Sequence, residues 1–243
     1  AYIPAYVFQT EKFYDLTGSL TYLSVTWYAL ILASGDFASA NVTNIVIVLL
    51  ISLWALRLGS FLFMRIHKDG EDKRFRTIKP SATQFFMTWT LQGLWVSLCS
   101  MCALTAISSD SGVVVNALFY FGLGLFIFGF SVEIIADNQK SKFRSLPENR
   151  DKFIASGLWA KSRHPNYFGE IVLWTGIATM SFSSLEGWQY LTLISPIFTY
   201  ILLVYVSGVR MLEARADKKW GDNDDYIKYK SETPVLWISF NRK

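Results

Sequence analysis

The 243 residues are 52% hydrophobic and 16% aromatic, and only 17% are charged, well below the roughly 25% charge of soluble chains. That balance excludes an ordinary soluble domain, and several apolar runs approach the ~20 residues needed to cross a hydrocarbon core, as in an integral multi-pass membrane protein. The net charge of +4 forms no stripe on a soluble domain, which excludes nucleic acid as a partner.

The sequence opens on Ala1 with no signal-like segment ahead of Leu16, as expected where a targeting segment has been removed or the sequence starts part-way. Apolar runs then predict six spans, near Leu16–Ala33, Asn44–Met64, Thr83–Ile107, Val113–Ala136, Tyr167–Phe182 and Tyr190–Gly208. They lack the alternation of barrel strands, and backbone in lipid must satisfy its own hydrogen bonds, so they are read as helices. The fifth is the shortest and holds Gly169, Glu170 and Gly176, which predicts a buried or broken helix. The expected fold is an all-α polytopic bundle of about six to seven transmembrane helices. No repeat or linker divides it, so residues 1–243 read as one domain, with a four-helix part (16–136) and a motif-bearing part (137–243).

Of the 23 Lys and Arg residues, six lie in 65–79, seven in 140–163 and eight in 210–243. The connections Ser34–Thr43, Ser108–Gly112 and Ser183–Gln189 hold none. Six spans place all basic segments and both termini on one side, which is the cytosol, or the matrix or stroma of an organelle. The endoplasmic reticulum and an organellar membrane fit equally, and lipids are the first expected partners. The Asn41-Val42-Thr43 sequon falls in an uncharged connection, where glycosylation requires an ER-type lumen.

Polar residues gather along the basic side. Arg57 lies within the second apolar run, where an unpaired cation costs roughly 2.5–3.5 kcal/mol, so a partner or a route to the interface is expected. The run from Arg65 to Phe75 reads as a solvated loop after a helix end. Cys99 and Cys102 form a C-x-x-C in the third span without neighbouring cations, and read as packing residues. With two Cys and two His no zinc set is present, and no metal site is expected.

Glu133 and Asp137 are four apart and share one helix face. Like charges at that spacing repel or recruit a cation, and Lys140, Lys142 and Arg144 follow. Such a set serves as an ion-pair network, or as contacts for a ligand with hydroxyls and phosphates. Lys161-Ser162-Arg163-His164-Pro165-Asn166-Tyr167-Phe168-Gly169-Glu170 is the densest polar stretch. Pro165 favours an extended His164 and a helix starting near Pro165, whose free N–H groups would face Arg163 and His164. Residues 210–229 read as a basic amphipathic helix and an aromatic arm, anchoring at the membrane surface or capping a pocket.

Arg163-His164-Pro165-Asn166-Tyr167-x-Gly169-Glu170, with Ala136-Asp137-x-Gln139-Lys140-x-x-Phe143 before it and Glu213, Gly221, Tyr226, Tyr229 and Thr233 after it, resembles the steroid 5α-reductase superfamily. The likeness covers most of the chain and is nearest to the branch of membrane proteins with a 5α-reductase-like C-terminal domain. The superfamily also holds sterol reductases and isoprenylcysteine carboxyl methyltransferases. The resemblance implies NADPH bound on the cytosolic side and reduction of a carbon–carbon double bond in a hydrophobic, lipid-soluble substrate. Carried onto this sequence, it implies cofactor contacts at Asp137, Gln139, Lys140, Arg144, Arg163, His164, Asn166, Tyr167 and Glu170, with Glu213 and Arg215 closing the pocket. An acid must polarise a carbonyl or protonate the second carbon; Tyr167 and Glu133 are the candidates. Methyl transfer from S-adenosylmethionine and a catalytically silent subunit of a larger membrane complex are the alternatives.

Overall fold

The computed structural model describes residues 1–239. Within them it is all-helical: α1 (Tyr2–Val7), α2 (Tyr14–Ser34), α3 (Val42–Asp69), α4 (Ala82–Ile107), α5 (Ala117–Ser145), α6 (Pro165–Ser181), α7 (Ile194–Ile201), α8 (Val209–Trp220) and α9 (Asp224–Glu232). Five segments are long and apolar enough to cross a membrane: α2, α3, α4, α5 and the 34-residue run Gly187–Trp220. The protein is an integral, multi-pass helical membrane protein. The remaining expected span is α6, a helix of 17 residues that rises only about 25 Å against a core of roughly 30 Å. Ten of its residues are buried, so α6 is chiefly covered by protein. In the six-span arrangement expected from the charges, α6 continued by the 3₁₀ turn Phe182–Ser184 is the remaining crossing.

The residues group into two compact units. The first comprises Ala1–Asn116 and Ser181–Ser195, so the seam falls ahead of residue 137 and a later segment returns to the first unit. In it α2 packs against α3 and α4 around Tyr22, Trp54 and Trp95, whose rings meet edge to face. Asn41 caps α3 by accepting from the Thr43 N–H, and Gly70, at φ 81°, ends it. Ser81 caps α4. The sequon asparagine thus has its side-chain oxygen committed to the cap. Buried Asn44 donates to the Ile107 carbonyl and accepts from the Val113 N–H. Arg57 is half-buried with its guanidinium over the Phe61 ring, a contact that offsets part of its desolvation. Cys99 and Cys102 form no disulfide and are both fully buried, in keeping with packing roles.

The loop after α3 is tied down more firmly than a solvated loop. Buried Glu11 pairs with Lys79 at 2.5 Å and accepts from the Asp72 N–H. Arg74 pairs with Asp72, and Arg76 with Glu71.

The second unit comprises Ala117–Met180 and Pro196–Lys243. Its α5 and α6 run antiparallel through a glycine seam. Gly129 faces Gly169, and Gly122 faces Gly176: a side-chain carbon at any of the four would lie 2.5–2.6 Å from the facing carbonyl oxygen. On each helix the pair is seven residues apart, so both members share one face. That seam brings Glu133 on α5 beside the first turn of α6.

Candidate functional site

The site is built where α6 begins. Pro165 is its first residue, as the sequence predicts, and the preceding turn is anchored by α5. Gln139 accepts from the Leu158 N–H at 2.9 Å and lies against Gly157, where a side-chain carbon would stand 2.6 Å from the Gln139 amide and the φ of +61° itself favours glycine. Trp159 is buried with Ala136 and Ile154, with Phe143 and Leu158 packed on them. Its indole N–H donates to the Ala136 carbonyl at 2.9 Å, and Lys140 Nζ sits 4.2 Å from the ring centroid.

A strap from the far end of the chain fixes the next residues. Arg163 N–H donates to the Pro234 carbonyl, Ser162 Oγ to the Leu236 carbonyl, and Ser239 N–H to the Lys161 carbonyl, all at 2.9–3.0 Å. Ser162 Oγ also accepts from the His164 N–H at 3.2 Å. From α9, Tyr229 donates to the Trp159 carbonyl at 2.7 Å.

Held this way, Arg163 and His164 converge on one carboxylate. Glu213 of α8 meets Arg163 Nη1 at 3.0 Å and His164 Nε2 at 2.8 Å. Arg163 Nη1 also donates to the Lys230 carbonyl at 3.3 Å. The Tyr167 ring stacks on His164, 5.8 Å between centroids and 8° from parallel. It also lies against Gly208, where a side-chain carbon would stand 2.8 Å from Tyr167 Cε2. Gly208 follows the π turn Leu202–Val206, an irregularity that recurs at functional sites. Lys230 pairs with Asp217, which also accepts from Tyr226. Burial, reinforced by that bond, holds the Tyr226 phenol above its ordinary range, so it remains a donor.

The expected site residues do not form one cluster. Glu213 joins Arg163 and His164, and Tyr167 stacks on His164. Glu133, Asp137 and Glu170 are all buried, at 2%, 7% and 6% exposure. Asn166 is half-buried beside them in sequence. Gln139 and Lys140 are engaged with the 157–159 turn, while Arg144 and Arg215 are exposed. Ser162 and Thr233 stand in the quoted motifs without an assigned role, and Lys230 and the strap went unmarked by sequence reasoning. Among the described residues no group of His, Cys, Asp and Glu could hold a metal ion.

Burial lowers the His164 imidazole below its ordinary value of 6.5, against the opposing bond and charge of Glu213. The folded state therefore disfavours the imidazolium more than the unfolded chain does. Its contribution to stability is complete above about pH 6.5 and is lost as pH falls through the depressed folded value. Thermal midpoints in detergent between pH 7.5 and 5 are expected to fall for the native protein. The fall should be shallower for His164→Gln.

Residues 1–233 match a family described as "Protein of unknown function (DUF1295)". A stretch of 114 residues is 29% identical to "3-oxo-5-alpha-steroid 4-dehydrogenase 1" of Bos taurus, covering 46% of this chain and 39% of that protein. The chain thus spans about two fifths of that relative's length. No solved structure matches.

Proposed function

Because the chain belongs to the DUF1295 family, matched from residue 1 to residue 233, and resembles a steroid dehydrogenase over part of its length, we propose that it is a membrane reductase using NADPH to reduce a carbon–carbon double bond in a lipid-soluble substrate. One observation carries the reading. Arg163 Nε, His164 Nδ1 and Thr233 Oγ1 are buried without a hydrogen-bond partner among the described residues, around a motif otherwise densely bonded. An unpaired buried polar group costs about 1–3 kcal/mol, and the phosphates and hydroxyls of a dinucleotide would satisfy these atoms.

In this reading Arg163 and His164 hold phosphate, and buried Asp137 and Glu170 accept from hydroxyl or amide groups. NADPH would supply a hydride. The chain supplies orientation in a dry site, which removes much of the entropic barrier, and a proton. Tyr167 is the proton donor best supported by geometry, its ring fixed between His164 and Gly208. Glu133, buried on α5 beside Gly169, is the second candidate acid.

The test is binding of NADPH by the detergent-solubilised full chain, beside S-adenosylmethionine and the Arg163→Ala variant. NADPH binding that drops at least about tenfold on loss of a charge-assisted contact supports the reading. Saturable S-adenosylmethionine binding instead would turn it to methyl transfer, and binding of neither would sink both.

A further inference from the structure

Arg163 meets its protein partners with one end of the guanidinium. Nη1 serves both Glu213 and the Lys230 carbonyl, whereas Nε is buried and has no partner. Nε and Nη2 form the side-on edge of the group, the two parallel donors that grip two oxygens of one phosphate or carboxylate. Thr233 Oγ1 is also buried and without a partner, and the backbone on either side of it is bonded to Arg163. Its chain neighbour Pro234 accepts from the Arg163 N–H, and Lys230, three residues earlier, accepts from Arg163 Nη1. Arg163 and Lys230 further line an open cleft of about 530 Å³ with Asp217, Gly221, Tyr226 and Ser231, a ligand-sized space.

The charges here are already matched, Glu213 against Arg163 and Asp217 against Lys230. A phosphate on the free edge of Arg163 would face the Glu213 carboxylate across one guanidinium, and two anions sharing a largely buried cation repel. The geometry points to a phosphate seat formed by Arg163 and Thr233, with Glu213 as its built-in competitor. Glu213 holds Arg163 and His164 in the resting state and yields Arg163 when phosphate arrives. This rests on the proposed NADPH dependence only for where the phosphate comes from, since a lipid headgroup carries the same chemistry.

The assignment makes Glu213→Gln a gain of affinity, opposite in sign to the loss expected if Glu213 itself contacted the ligand. The experiment titrates inorganic pyrophosphate, then NADPH, against the full-length native protein, Glu213→Gln and Thr233→Val in detergent. Pyrophosphate is expected to bind Glu213→Gln at least about tenfold tighter and Thr233→Val about five- to tenfold weaker. Equal or weaker binding by Glu213→Gln, or unchanged binding by Thr233→Val, overturns it. If Glu213→Gln does not fold, Glu213→Asp, which draws the carboxylate back from Arg163, must show a smaller gain of the same sign. Should pyrophosphate behave as expected while NADPH fails to displace it, the seat stands and the reductase reading falls. Nanodiscs with and without phosphatidic acid then show whether a lipid headgroup competes. Absence of pyrophosphate binding in all three proteins removes the seat.

Discussion

Gly169→Ala is expected to destabilise the protein by about 3 kcal/mol or more, while the same change at Gly124, on the facing helix, leaves stability nearly unaltered. The added methyl at 169 would stand 2.5 Å from the Gly129 carbonyl oxygen and 2.7 Å from the Glu133 nitrogen. Both obstacles are backbone, so relief requires moving a helix rather than turning a side chain. Overpacking typically costs about 1–3 kcal/mol, occasionally more, and lies at the upper end when neighbours cannot yield. Nothing lies within 4 Å of a methyl at Gly124. Thermal unfolding in detergent checks the pair, and similar midpoints for the two variants would show that the seam is not a close contact. On the proposed function, NADPH affinity should fall with stability at Gly169, because that residue sets the spacing between Glu133 and α6.

The second large effect is expected at Trp159. Its side chain is 3% exposed, so Trp159→Ala removes a fully packed indole, at about 3–5 kcal/mol. Trp159→Phe keeps most of the ring and loses chiefly the bond to the Ala136 carbonyl, about 1 kcal/mol. The alanine variant also deprives Lys140 of its aromatic partner and frees the turn that aims Arg163. It should therefore lose ligand affinity as well as stability, whereas the phenylalanine variant should retain most of both. Two variants of equal midpoint would show that the indole is not the pin of this turn.

Much of this was legible in the sequence because it depends on near neighbours. The apolar runs give α2 to α5 and the later span; Pro165 gives the start of α6; the four-residue spacing of Glu133 and Asp137 puts both on one helix face. The cluster of Arg163, His164 and Tyr167 follows from adjacency alone. Other features depend on partners far along the chain. Nothing local announces that Gln139 is spent on the Leu158 N–H, that Ser162 bonds the Leu236 carbonyl, or that Glu213 occupies Arg163. The glycines were visible as residues but not as a seam, since their pairing needs the antiparallel register of α5 and α6. Thr233 was visible as a motif residue, but its role as a donor emerged only once its hydroxyl was seen buried and unbonded.

The pairing of Lys161–Arg163 with Pro234–Ser239 also sets a timetable. Seventy-one residues separate Arg163 from Pro234, so at about 5–20 residues per second the ribosome needs on the order of 4–14 s to make the second after the first. Throughout that interval the apolar helices have been emerging into the bilayer while the motif lacks Glu213 for most of the time, and the strap until the end. Insertion and maturation of the site are thus separate events in the life of the nascent chain. Until the strap arrives, the Arg163-His164 pair stands unclamped behind helices that have already been handed to the bilayer.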